Sequence, residues 1–157
     1  MAKAGFTLLE ILVVLVLLGF LAGMFALQLP MYLSQTHLHG ATRRIVTDLQ
    51  YIRVKAITQN RRFRVTFRPA TGDYIVESDD EGRWKRQQLL SHSDEEVPQA
   101  TISLPRDIRI TAINSGGDVI FLPRGAVDGG LSVTLGTVGG THTRRVIVNL
   151  AGRVRIE

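Results

Sequence analysis

Glu10 stands at the head of a segment that carries almost no other charge: from Ile11 to Thr42 there is no Asp, Glu, Lys or Arg. A carboxylate in an apolar span costs about 2.5–3.5 kcal/mol at the bilayer centre and less near the interface. It must snorkel to the headgroups, sit protonated, or meet a cation. At the other end of the chain four arginines gather, Arg144 and Arg145, then Arg153 and Arg155. In a strand, Arg153 and Arg155 project to one face about 7 Å apart, while Val154 and Ile156 face inward. With Arg144 and Arg145 on the preceding strand, a hairpin would bring three or four guanidiniums into one patch. The planar guanidinium fork suits phosphate, and the same residues also serve to keep a sheet edge soluble.

Other constellations of reactive residue types do not add up to a centre. Ser91-His92-Ser93-Asp94 holds the residue types of a hydrolytic triad, but a triad converges in space and these four share one polar loop. His37 and His39 are two apart on a helix and point to different faces, which argues against a metal pair. The Gly-rich turns lack the Gly-Lys-Ser/Thr of a phosphate loop. Asp118 and Asp128 fit turns rather than a calcium loop. The chain has no Cys, which removes disulfides, thiol chemistry and Cys-ligated zinc. The expectation is a protein with no catalytic residues, no metal, no cofactor and no small-molecule substrate. Trp84, between Arg83, Lys85 and Arg86, reads either as a stacking platform or as a core aromatic. The acidic runs Asp79-Asp80-Glu81 and Asp94-Glu95-Glu96 read as solvated loops, or else as a docking surface for a basic partner or a weak cation site.

The 157 residues suffice for one domain and an appendage. Hydrophobic residues make up 45% and charged ones 21%, with a net charge of +5, so the chain is not a disordered polyelectrolyte. Charge is distributed unevenly: Arg43–Arg68 holds eight basic residues and one acidic, Pro69–Asp107 four and nine, and Ile108–Glu157 six and three. Residues Phe6–Leu29 contain only Thr7, Glu10 and Gln28 as polar residues. As a helix they reach roughly 36 Å, enough to cross a bilayer core of about 30 Å. A cleaved secretory signal has a shorter apolar region of about 7–15 residues and a small-residue cleavage site that Leu21-Ala22-Gly23-Met24 matches poorly. Flanking charge, Lys3 against Arg43 and Arg44, gives a weak orientation cue that leans the opposite way to a periplasmic domain.

Pro30 predicts a kink or break in the long helix. Beyond it Ala41, Ile45, Leu49, Ile52 and Ala56 recur at helical spacing, the mark of an amphipathic helix laid on a core. After Asn60 the period becomes two: Phe63, Val65 and Phe67 alternate with Arg62, Arg64, Thr66 and Arg68. Further strands are expected at Tyr74–Ser78, Trp84–Leu90, Ile108–Ile113, Val119–Leu122, Leu131–Leu135, Arg144–Leu150 and Arg153–Ile156, separated by Gly turns. The fold class is α+β, a long N-terminal helix packed on a small, mainly antiparallel β domain. Its divisions are 1–5, 6–29 as a transmembrane helix, 30–60 as its amphipathic continuation, and 61–157 as the β domain.

Lys3-Ala4-Gly5-Phe6-Thr7-Leu8-Leu9-Glu10, followed at once by the apolar helix, closely resembles the class III signal of type IV pilins and type II secretion pseudopilins. Leu49 to Arg61, with Arg53-x-x-Ala56-Ile57-x-x-Asn60, resembles the helix end of GspH/FimT-type minor pseudopilins, and Gly152-Arg153-Val154-Arg155 resembles the Gly-Arg-x-Arg close of that group. Residues 79–98 match no named pattern. The resemblance implies a pilin-like fold, residues 1–5 as a leader peptide, and cleavage between Gly5 and Phe6 by a prepilin peptidase with N-methylation of Phe6. It also implies anchoring in the bacterial inner membrane by a single span, with the β domain in the periplasm, and assembly with other pseudopilins or pilins through Phe6 and Glu10. The leading expectation is a minor pseudopilin of type II secretion, whose helix packs into the pseudopilus. The alternative is a FimT-like type IV minor pilin that serves pilus biogenesis or takes up DNA through the C-terminal arginines. A third class, a single-span protein with an unrelated extracytoplasmic domain, would leave Gly5 uncleaved.

Overall fold

The computed structural model describes residues 7–87, 101–140 and 142–157, with the side chains of residues 25–32 and 115 outside that description. Two units are distinguished, Met1–Leu33 and Ser34–Glu157. The helix α1 runs Leu8–Thr58. Thr7 caps its start: the Glu10 N–H donates to Thr7 Oγ1 at 3.2 Å, which makes Thr7-x-x-Glu10 the sequence of a capping box. The helix is continuous through Pro30, so the expected break is not there. A proline removes one hydrogen bond, and a long helix can absorb that loss. Among the described residues no helix is long and apolar enough to cross a membrane; the end of the expected 6–29 span falls on side chains outside the description.

From Leu38 onward α1 is held by packing. Leu38, Ala41, Ile45, Leu49, Ile52 and Ala56 are all buried, together with Thr42, whose hydroxyl donates back to the Leu38 carbonyl at 2.6 Å. This is the stripe that the helical spacing predicts. The helix ends in a Schellman motif: the Arg61 N–H reaches the Ala56 carbonyl at 3.2 Å and the Asn60 N–H the Ile57 carbonyl at 3.3 Å. Asn60 sits at φ +49°, the left-handed position that asparagine tolerates.

Among the described residues ten strands follow in two sheets. The first sheet has β1 (Phe63–Arg68), β2 (Asp73–Asp80), β3 (Arg83–Arg86), β4 (Thr101–Ser103), β6 (Asp118–Phe121) and β7 (Val127–Asp128), in the order β3-β2-β1-β6-β7 with β4 also paired to β2. The second has β5 (Ile108–Ile113), β8 (Leu131–Thr137), β9 (Thr143–Val148) and β10 (Val154–Ile156), in the order β10-β9-β8-β5. Every pairing among the described residues is antiparallel. Phe63, Val65 and Phe67 of the first sheet and Leu131, Val133, Leu135, Val146 and Val148 of the second join the helix stripe in one core. The fold is α+β, as the periodicities predict. Two strands, β4 and β7, are additional to those expected. The strand expected over Trp84–Leu90 ends at Arg86, and residues 88–100, which include Ser91-His92-Ser93-Asp94 and Asp94-Glu95-Glu96, lie outside the described residues.

Two polar devices tie helix to sheets. Tyr74 is buried, and its hydroxyl donates to the Asp48 carboxylate of α1. Burial, and after it the Asp48 charge and hydrogen bond, push the Tyr74 hydroxyl well above its ordinary pKa. At the end of the helix Arg53 donates from Nε to the Gly125 carbonyl at 2.9 Å and from Nη2 to the Ala151 carbonyl at 3.3 Å. Gly152 follows at φ +73°, and a Cβ there would lie 2.1 Å from the Gly125 carbonyl oxygen. One guanidinium thus pins the turns before β7 and before β10 onto α1, and only glycine fits between them.

Tyr74 gives a testable pH dependence. Both states are neutral below about pH 10, the ordinary tyrosine value. Above it the unfolded chain loses the Tyr74 proton while the folded chain keeps it, so stability falls as pH rises. Thermal melts at about pH 8 and pH 11 should show a smaller alkaline loss in Tyr74→Phe than in the native chain. Equal losses would mean that Tyr74 is not held neutral by the fold. Gly152→Ala should cost about 2–5 kcal/mol through left-handed strain and overpacking against Gly125, read as a lowered denaturation midpoint. A change below about 0.5 kcal/mol would show that the junction is not close-packed.

Candidate functional site

The two ends of the chain that drew the chemistry in the sequence are both fixed by local structure. Glu10 occupies the third position of α1, in its first turn. There the unpaired N–H groups and the helix dipole favour a negative charge. The sequence presents Glu10 as an anomaly in an apolar run; its place beside Thr7 supplies a second reason for a carboxylate. The signal for that was legible as Thr7-x-x-Glu10. Around it Leu8, Leu9, Ile11, Leu12, Leu15 and their neighbours are exposed along the helix. Gly5 and Phe6 lie outside the described residues.

At the C-terminal end the register decides which arginines meet. Arg155 pairs with Ile147 and Ile156 with Val146, and Arg145 and Glu157 exchange two backbone hydrogen bonds, at 2.9 and 2.8 Å. Residues 145, 147, 153, 155 and 157 therefore share the outer face of the second sheet. Arg144 does not: it shares the inner face with the buried Val146 and Val148 and is itself half-buried. Of the three or four guanidiniums expected in one patch, Arg145, Arg153 and Arg155 share the outer face and Arg144 does not. Successive strand residues point to opposite faces, and the two buried valines fix the parity of Arg144. Arg109 of β5 lies opposite Gly136 of β8, on the same outer face, and is exposed. That face carries Arg109, Arg145, Arg153 and Arg155 against Glu157, which binds Arg155 at 2.9 Å. Between the arginines run Ser132, Thr134 and Gly136 of β8, opposite Ile147, Arg145 and Thr143 of β9. Val154 packs against the core as expected, but Ile156 stays 39% exposed at the sheet edge, where no further strand covers it among the described residues.

The outer face of the first sheet has the opposite character. Arg64 faces Glu77 and Arg68 faces Asp73 in register, with contacts of 2.6 Å and 2.7 Å. Arg62 binds Asp79 through Nε at 2.8 Å, and Arg61 and Lys85 share Asp80. The cations of β1 and the acids of β2 thus neutralise one another. The Lys85 hydrogen bond and charge hold the Asp80 carboxyl below its ordinary pKa. Trp84 lies under the Arg64 guanidinium, 4.4 Å from the ring centroid, with Arg62 at 5.9 Å. Its ring is occupied from within the chain, so it offers no stacking platform on that side. Asp79 and Asp80 of the first acidic run are likewise engaged, and Asp79 also accepts the Gly82 N–H at 2.9 Å.

The two histidines of α1 have separate partners: His37 Nδ1 lies 2.8 Å from Asp107 Oδ2, and His39 Nε2 lies 3.3 Å from Arg144 Nη2. Among the described residues no three His, Asp or Glu side chains are placed to hold a metal ion. Asp118 and Asp128 are exposed strand residues of β6 and β7.

Known proteins share the sequence pattern and the fold. Residues 41–152 match the family model for the type II transport protein GspH, and residues 1–26 match the prokaryotic N-terminal methylation motif. Over its full length the chain is 29% identical to the whole of the pilin-like protein PilA1 of Thermus thermophilus. The fold is shared with the minor pseudopilin EpsH of the Vibrio cholerae type 2 secretion system, at TM-score 0.61 and 13% identity, covering 77% of this chain and 96% of that one. It is shared too with the type IV minor pilin FimU of Pseudomonas aeruginosa, at TM-score 0.53 and 16% identity, covering 76% of this chain and 92% of that one. The GspH match contains Arg53, Gly125, Ala151 and Gly152, the residues of the junction near the end of the helix. The chain carries the prokaryotic N-terminal methylation motif and belongs to the GspH family of pilin-like proteins.

Proposed function

We propose that this chain is a minor pseudopilin, a structural subunit of a type II secretion pseudopilus. Residues 6–29 anchor it in the bacterial inner membrane, and its β domain works in the periplasm beside other pseudopilins. The observation that carries this reading is the GspH match over 41–152 joined to a methylation motif over 1–26. Prepilin peptidase cleaves between Gly5 and Phe6, and the new terminal amine of Phe6 becomes the cation nearest to this end of the helix. In an apolar assembly an ionised Glu10 pairs with the Phe6 amine of a neighbouring subunit and fixes the register of entry. A buried pair of this kind is decisive because leaving either charge alone costs about 3–5 kcal/mol. The work of the subunit is mechanical, and its helix and β domain bind other subunits rather than a small substrate.

A second reading, capture of DNA by a type IV minor pilin, is favoured by one observation. The outer face of the second sheet keeps Arg109, Arg145, Arg153 and Arg155 with only Glu157 as a counter-charge among the described residues, whereas the first sheet neutralises its own cations.

Glu10→Leu should abolish or strongly reduce co-purification with the neighbouring pilin subunits while the chain still accumulates in the membrane. Unchanged co-assembly would sink the pairing. For the second reading, residues Ser34–Glu157 should bind duplex DNA with a steep salt dependence. The double variant Arg153→Ala/Arg155→Ala should flatten the log–log slope by roughly 1.8, about 0.9 for each phosphate that is no longer neutralised. No binding at low salt would leave the arginines as guards of a sheet edge.

A further inference from the structure

Arg144, turned inward away from the other C-terminal arginines, meets an imidazole where they meet solvent or Glu157. Its Nη2 lies 3.3 Å from His39 Nε2, where a neutral imidazole accepts but brings no negative charge. Arg61, Arg62, Arg64, Arg68 and Arg155 each have a carboxylate within 3.3 Å. Among the described residues no carboxylate pairs with Arg144. A half-buried cation that meets an imidazole and no carboxylate among the described residues is costly, and the cost becomes affinity for any anion that can reach it.

The space beside it is suited to such a ligand. Gln35, Leu38 and His39 of α1 and His142, Thr143 and Arg144 at the start of β9 line an open groove of about 360 Å³. The polar groups are an amide, two imidazoles, a hydroxyl and a guanidinium, with no acid among them. Both a carboxylate and a phosphate take the Arg fork bidentately, but a tetrahedral phosphate offers further acceptor oxygens, in more directions, to the donors around it. We propose that this groove is a phosphate-binding site for a compact phosphate group, with Arg144 as its anchor and His39, His142, Thr143 and Gln35 around it. A phospholipid headgroup and free phosphate share this chemistry. The inference does not depend on which assembly the subunit joins, and Arg144 itself has the opposite parity on β9 from the outer arginines.

The full chain in detergent micelles would be titrated with inorganic phosphate and, separately, with short-chain phosphatidylglycerol, by calorimetry. At least one should bind saturably. Affinity should fall about tenfold or more in Arg144→Gln, the scale of losing one charge-assisted hydrogen bond. It should fall severalfold in His39→Gln and stay unchanged in Arg155→Gln. Tighter binding of the lipid identifies a headgroup as the source, and tighter binding of the inorganic ion identifies free phosphate. Should Arg144→Gln fail to fold, the His39→Gln and Arg155→Gln pair carries the same comparison. No saturable binding of either probe would overturn the site. So would an equal loss in Arg155→Gln, the sign of diffuse attraction to a chain of net charge +5.

Discussion

The structure of the β domain depends on one stripe of a helix. Leu38, Ala41, Ile45, Leu49, Ile52 and Ala56 are buried, and side chains from two separate sheets close over them. Each sheet has a single apolar inner face, and neither could bury it without the stripe. The alternation of strand residues, and with it the choice of which arginines face outward, is set by that requirement. Polar ties then fix the helix against slipping: Tyr74 to Asp48 along it, and Arg53 to two turns near its end. Hydrophobic burial is non-directional, so the register of helix on sheet falls to these directional contacts.

The outer faces of the two sheets show how the same residue type acquires different uses. Arginines 62, 64 and 68 lie opposite acids on the next strand, and the pairs cancel. Such exposed pairs contribute little each to stability, but they leave those three arginines neutralised. On the second sheet the strand next to the arginines supplies Ser132, Thr134 and Gly136 instead, and the charge remains available. Arg144 obeys neither pattern, because its parity places it on the helix side. The subunit thus offers distinct surfaces: an exposed apolar helix bearing Glu10, one neutral sheet face, and one cationic face.

Much of this was legible in the sequence. Helical spacing from Ala41 to Ala56 and alternation from Phe63 to Phe67 identify the helix, the first strand and their buried sides, because burial imposes those periods. The strands β4 and β7 escape notice because three and two residues are too few to display a period. The ion pairs of β1 and β2 depend on cross-strand register, which neither strand reveals alone. Gly152 and Arg53 are visible as parts of motifs almost a hundred positions apart, but their shared purpose exists only where the two segments touch. The inward turn of Arg144 was available from strand parity, since Val146 and Val148 lie two and four residues further on. Thr7-x-x-Glu10 was available too, as a cap that answers part of why an acid stands at the head of an apolar helix.

The central claim is that the chain is processed and assembled as a pilin-like subunit through its first ten residues. The most direct test is mass spectrometry of the N-terminus of the protein recovered from membranes of a host that carries a prepilin peptidase. The account predicts a chain that begins at Phe6 with a methylated amine, residues 1–5 having been removed. An intact Met1–Gly5 segment under those conditions would contradict it, leaving Glu10 as the first-turn acid of a capped helix in a single-span protein and removing the cation on which the assembly mechanism rests.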